Sequence, residues 1–228
     1  MFRTFTFALL FLFMAAAALA QTKGIDPALL AKAKAGEPAA EFRVGYRYQH
    51  GKGVSQNYAQ AAVWFRKAAE QGNADAQSSL GVLYSKGQGV PQDYAQAAVW
   101  WRKAAEQGES FAQWFFGNAC ELGRGVPQDF TQAAFWYRKA AEQGDGLPKD
   151  SLGLLYEDGK GVPQDYSEAY FWTSLATATM DSSYDGGQLY SDFVKDRDRI
   201  AAHLTQAELL RIQVRTREWF AAHPPDAQ

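Results

Sequence analysis

The 228-residue chain is poor in the side chains from which most reactive centres are built. It has one cysteine, Cys120, so no internal disulfide can form. A lone cysteine is read here as a small buried apolar side chain, since free cysteines usually behave that way. Three histidines are present, His50, His203 and His223. They share no i, i+4 spacing with one another and have no cysteine partners, so a metal site is not expected: metal ions need several converging ligands. His50 reads as a solvated residue at a helix end. No G-x-S-x-G occurs, and no serine has an evident histidine and aspartate set around it. Nor is there a surplus of positive charge, with 23 lysines and arginines against 25 acidic residues. That balance gives no footprint for nucleic acid or for an anionic membrane surface. Beyond the first twenty residues no apolar run is long enough to span a bilayer.

The chain opens MFRTFTFALLFLFMAAAALAQ. A basic residue, an apolar run and Ala18-Leu19-Ala20 give the form of a secretory signal peptide cleaved after Ala20. The alternative is an uncleaved anchor, because the apolar run approaches spanning length. Cleavage leaves about 208 residues (228 − 20) with a net charge near −3 (22 basic, 25 acidic). No cysteine follows the cleavage point, which excludes a lipid anchor there. The expected location is periplasmic or secreted, with no membrane span after cleavage.

What the sequence has in abundance is itself. GVSQNYAQAAVWFRKAAEQG begins at Gly53, GVPQDYAQAAVWWRKAAEQG at Gly89 and GVPQDFTQAAFWYRKAAEQG at Gly125, a period of 36 residues. Gly45, Gly81, Gly117 and Gly153 share one slot, and Trp64, Trp100, Trp136 and Trp172 another. Gly51, Gly87, Gly123 and Gly159 share a further slot, as do Gly53, Gly89, Gly125 and Gly161. A fixed period of this size signals a stacked array. Each unit reads as two helices. In the first, Leu80, Leu83 and Tyr84 fall on one helical face. Gly81 costs about 1 kcal/mol there relative to alanine, so its slot is expected to need close helix–helix approach. Gly87 ends that helix. Asp93 with Gln96 predicts a capping box for the second helix, repeated by Asn57 with Gln60, Asp129 with Gln132 and Asp165 with Glu168. The second helix ends at Gly108. Short connections make the pair an antiparallel hairpin, and stacking buries the apolar face that one hairpin cannot cover alone.

The ends differ from the middle. DPALLAKAKAGEP from Asp26 reads as an N-terminal cap half-repeat over 21–38. The repeats run over 39–179, as 39–74, 75–110, 111–146 and 147–179. Residues 180–228 hold a turn-rich break (180–187), two capping helices and the tail PPDAQ. Thr205 and Glu208 predict a capping box for the last helix.

The pattern LGVLYSKGQGVPQDYAQAAVWWRKAAEQG, with its LG-x-x-Y, G-x-G-V, D-Y and KAAEQG elements, resembles the Sel1-like repeat, over roughly Ala39 to Ala178. Two units depart from it. The fourth reads TSLATATM after Trp172, and the third runs into GLPKD, where Pro148 is expected to shorten or shift a helix start. The third unit also puts Cys120 where Tyr48, Tyr84 and Tyr156 stand. The resemblance implies an all-α, right-handed α/α superhelical solenoid related to tetratricopeptide arrays. It implies an adaptor that holds a protein or peptide partner on a concave face, with no catalytic residues and no cofactor. Exported bacterial members are often tied to envelope assembly, signalling or host contact. Cysteine-rich members linked to β-lactams have paired cysteines that this chain lacks.

Within such an array a carboxylate repeated from unit to unit (Asp93, Asp129, Asp165; Glu70, Glu106, Glu142) is structural. The G-x-G-V segments lack the Lys-Ser/Thr of a phosphate loop and no strand precedes them, so helix termination explains them. The repeated tryptophans are read as core packing; exposed, they would instead form a glycan-stacking ladder. A binding surface is sought where the units disagree. One i, i+4 set on the first helix holds Phe42 and Tyr46, then Ser78 and Val82, then Trp114 and Asn118, then Asp150 and Leu154. Phe42, Tyr46 and Trp114 are aromatics of the kind enriched at interfaces. With Arg43, Gln49, Asn118 and Glu121 they form the candidate partner surface of a monomeric, non-catalytic scaffold. The competing expectations are a cell-envelope hydrolase, β-lactamase-like or acting on cell-wall material, and a glycan-binding module.

Overall fold

The computed structural model describes residues 24–144, 146–180 and 187–223. The signal segment 1–20, most of the 180–187 break and the PPDAQ tail lie outside the described residues. Helix α1 (Pro27–Lys34) is followed by four hairpins. These are α2 (Pro38–His50) with α3 (Tyr58–Glu70), α4 (Ala74–Lys86) with α5 (Tyr94–Glu106), α6 (Ser110–Leu122) with α7 (Phe130–Ala141), and α8 (Gly146–Asp158) with α9 (Tyr166–Thr179). Two more helices close the array, α10 (Gln188–Ala201) and α11 (Gln206–Ala222). Among the described residues every regular element is a helix. From α1 to α10 each helix packs on the next, and α11 lies against α9.

Caps set the helix boundaries in step. Asn57, Asp93, Asp129 and Asp165 each accept the amide of the residue three places on, at 2.9–3.0 Å. The predicted reciprocal half of these capping boxes is absent. The N-cap amides donate instead to Tyr48, Tyr84, Cys120 and Tyr156 carbonyls at the end of the preceding helix. A capping box suits a helix whose N-terminus faces solvent; here the first helix of the hairpin offers a better acceptor. The box predicted for α11 does form, between Thr205 and Glu208. Pro148 neither shortens nor shifts α8, which starts 36 residues after α6 and also has 13 residues. It stands in the first turn, where a backbone amide has no intrahelical acceptor to lose.

The two glycines of G-x-G-V do different jobs, and helix termination explains only the first. Gly87 caps α4 at φ 65°, as Gly51, Gly123 and Gly159 cap theirs. The second glycine makes a contact between units. A Cβ on Gly89 would lie 2.2 Å from the Tyr58 carbonyl carbon of the preceding unit, and one on Gly125 2.0 Å from the Tyr94 oxygen.

Close approach also explains the mid-helix glycines, as expected. A Cβ on Gly45, Gly81 or Gly117 would meet the ring of Phe65, Trp101 or Tyr137 at 2.5–2.8 Å. Those rings sit one position after the repeated tryptophans, and Phe65 and Tyr137 are fully buried. The tryptophan slot is therefore less deep than read from sequence. Trp136 and Trp172 are buried, but Trp64 and Trp100 are only half-buried, with the Lys67 and Lys103 ammonium groups 4.5 and 4.4 Å from their rings. Alanines at 61, 62, 68 and 69 and their counterparts in the next two units pack around these rings, with Leu80, Leu83, Leu152 and Leu155 from the first helices. Cys120 is buried among them, and burial pushes its thiol up to about 11.

A buried polar slot runs beside this core. Glu41, Gln77, Gln113 and Lys149 occupy it. Gln71 donates to Glu41, Gln107 to Gln77 and Gln143 to Gln113, at 2.7–2.8 Å. Gln77 and Gln113 donate in turn to the Ala69 and Ala105 carbonyls of the preceding unit. Each of these two glutamines thus bridges the second helix before it and the second helix after it. Lys149 donates to the Gly144 carbonyl at 2.6 Å and lies under the Trp219 ring of α11.

Candidate interaction surface

The first helices of three successive units line one open trough of about 490 Å³. Helix α2 contributes Phe42, Tyr46, Gln49 and His50, and α4 contributes Asp75, Ser78, Ser79 and Val82. Phe111 and Phe115 come from α6, with Glu109 at its N-cap. The middle unit carries small residues at the slots where its neighbours carry rings, which makes a floor between aromatic walls. The walls are rooted in the core. Phe42 stacks on Phe65 at 5.7 Å, and Phe115 on Trp101 at 5.0 Å. Rings held this way lose little conformational entropy when they are covered. Phe111 is 55% exposed and Tyr46 37%, the aromatic side chains on this face most open to solvent.

Phe42 and Tyr46 also border a second cavity of about 490 Å³, shared with Asp26, Leu29, Arg43, Arg47 and Lys52. Lys52 donates to the Tyr46 hydroxyl at 3.1 Å, and Arg47 to the Lys52 carbonyl at 3.4 Å.

The candidate residues do not all meet. Phe42, Tyr46 and Gln49 line the trough, and Arg43 faces the adjoining cavity. Trp114 instead points toward the fourth unit. Its indole donates to Ser151 at 3.3 Å, and it lines a separate cavity with Phe111, Leu147 and Pro148. Asn118 and Glu121 serve Tyr137, whose hydroxyl donates to Glu121 at 2.6 Å. Burial, and then the Glu121 charge, push that hydroxyl well above the usual range, so it stays a donor. Asp150, in the slot of Phe42 and Trp114, is buried as well, and its Oδ1 has no partner among the described residues. Burial first, then the Asp196 charge, push its carboxyl up to about 7. Slot variation here reflects local repacking as well as an exposed surface. Phe111 and Phe115 were missed, although the same comparison finds them: Ala39, Asp75, Phe111 and Leu147 share one slot, and Arg43, Ser79, Phe115 and Ser151 another.

No group of three or more histidine, cysteine or carboxylate side chains is placed to hold a metal ion among the described residues. His50 ends α2 with Nδ1 3.0 Å from the Tyr46 carbonyl. Likewise no helix among the described residues is long and apolar enough to cross a membrane.

Stacked hairpins with a trough across their first helices define an α/α repeat solenoid. The Sel1 repeat family model matches residues 38–73, 74–109, 110–145 and 151–178. The chain belongs to the Sel1 repeat family, whose members generally serve as scaffolds for protein–protein interaction. A Sel1 repeat protein from Oxalobacter formigenes is 33% identical, with 72% of this chain and 74% of that one aligned at a TM-score of 0.61. A protective antigen from uropathogenic Escherichia coli strains, with an SLR fold, is 31% identical at a TM-score of 0.56. That match covers 87% of this chain and 49% of the antigen. A chitin synthase regulator of Saccharomyces cerevisiae is 50% identical over 46 residues, 20% of this chain. The match spans only 6% of the regulator and about half of the antigen.

Proposed function

We propose that this protein is an exported, monomeric, non-catalytic scaffold that holds a polypeptide segment of another protein in the trough across α2, α4 and α6. The observation that carries the reading is the contrast between units. Slots that pack the array repeat, whereas Phe42, Tyr46, Phe111 and Phe115 stand around Ser78, Ser79 and Val82 only on this face. An extended peptide or a helix laid along a groove is the mode such a surface suits. A glycan ladder built on the repeated tryptophans gains no support, because Trp136 and Trp172 are buried and Trp64 and Trp100 are half-covered.

The test uses the purified chain as bait against an envelope extract, beside a Tyr46→Ser/Phe111→Ser variant. Both side chains are exposed, so circular dichroism should show the variant folded. A protein retained by the wild type and lost by the variant is the expected outcome; equal retention refutes the trough. N-terminal sequencing of the chain from its native host tests export and should begin at Gln21.

A further inference from the structure

The cavity beside the trough carries an uncompensated charge. Arg43, Arg47 and Lys52 face it, against one carboxylate, Asp26, which is engaged as the N-cap of α1 by accepting the Ala28 amide. The ion pairs among the described residues involve other cations, so these three leave a local excess of two positive charges (3 − 1). The chain as a whole has more acid than base. The choice of residue is also anomalous for an array. The slot of Arg47 is filled in the later units by Leu83, Ala119 and Leu155, all buried. A packing slot has been given a guanidinium where the array opens toward α1.

Phe42 and Tyr46 are the wall common to this cavity and the trough. A segment lying over them presents one end to cations and the rest to rings. Asp75 on α4 and Glu109 at the N-cap of α6 line the trough, which none of the three cations does, so they oppose a second acid there and fix the direction. We infer that the bound polypeptide is acidic at its α1 end, with an Asp or Glu beside an aromatic or large aliphatic residue that enters the trough. This rests on the trough reading above.

Selection of a random peptide library on the immobilised chain tests it. Enriched sequences should place Asp or Glu next to Phe, Tyr, Trp or Leu. The best of them, synthesised with a fluorophore and followed by anisotropy, should lose about tenfold or more in affinity on Arg43→Glu/Lys52→Glu and weaken with added salt. Both substituted side chains are exposed, so folding is expected to persist and is checked by circular dichroism. Enriched peptides without acidic bias, or an affinity unmoved by the charge reversal, overturn the charge assignment and leave the trough standing. If no peptide is enriched, or if binding survives Tyr46→Ser/Phe111→Ser, the trough reading falls with it.

Discussion

Replacing Asp150 by asparagine should stabilise the protein in mildly alkaline solution and leave it unchanged in acid. Asp150 is 8% exposed, and the charges around it are Glu157 on α8 and Asp192, Asp196 and Arg199 on α10. Arg199 already pairs with Glu157 and Asp196, at 2.6 and 2.5 Å. The carboxyl therefore rises from an ordinary value near 3.8 to about 7 in the folded chain. A folded-state value above the unfolded one means that the native state holds the proton more firmly. The stability this provides is complete below about pH 4 and is lost as pH rises through about 7. A rise of about three pH units is worth roughly 4 kcal/mol at 1.36 kcal/mol each. The cost cannot exceed what keeps α10 docked, since local release would hydrate the carboxylate. Asp150→Asn keeps the shape and removes the charge, so a gain of about 2–4 kcal/mol is expected near pH 8. Urea unfolding of both chains from about pH 5 to 8, followed by circular dichroism, isolates this group, because the other carboxylates titrate in both. A difference that stays flat across that range, or a wild type more stable than the variant near pH 8, refutes the reasoning.

Other outcomes follow from the repeated contacts. Gly81→Ala gains about 1 kcal/mol of helix propensity but drives a Cβ to 2.5 Å from Trp101; overpacking costs about 1–3 kcal/mol, so thermal unfolding should show net destabilisation. Gln113→Ala removes two hydrogen bonds, leaving the Gln143 amide with the Gly108 carbonyl and the Ala105 carbonyl with the Gly108 amide, and a loss of about 1–3 kcal/mol should appear in urea unfolding. Cys120 should react slowly with a thiol reagent near pH 8 in the native chain and rapidly in urea, since burial keeps it a thiol; equal rates would place it at the surface.

The fold was legible because the array writes each structural demand four times. A cap such as Asp93 or a terminator such as Gly87 is weak alone and unmistakable at 36-residue spacing. What the repetition could not convey was depth and direction. Trp100 and Trp101 are adjacent and both large, and only the placement of Gly81 over the second decides which is buried. Asp93 and Gln96 fit a capping box, but the Tyr84 carbonyl is brought within reach by hairpin closure, which no local pattern records. The candidate surface was half legible. Comparing units picked out Phe42, Tyr46 and Gln49, which line the trough, Phe42 with its ring stacked on Phe65. It also named Trp114, Asn118 and Glu121, which lie apart from the trough against Ser151 and Tyr137, where the variation accommodates neighbours in three dimensions. Ser78 was placed in the slot of Phe42 and Trp114 without being counted toward a surface, and Ser79 drew no notice, because a floor is made by what is missing.

The glycines that seat each unit on the one before have an implication for how such a chain changes length. Gly89 against Tyr58, Gly125 against Tyr94 and Gly161 against Phe130 are the same joint made three times. A whole unit can be added or excised with every remaining joint intact, while a single inserted residue moves a side chain into a backbone. Such a molecule grows and shrinks in quanta of one hairpin. The trough needs three consecutive hairpins of unlike surface, so it belongs to their order along the chain and would be erased by shuffling units that are individually unharmed.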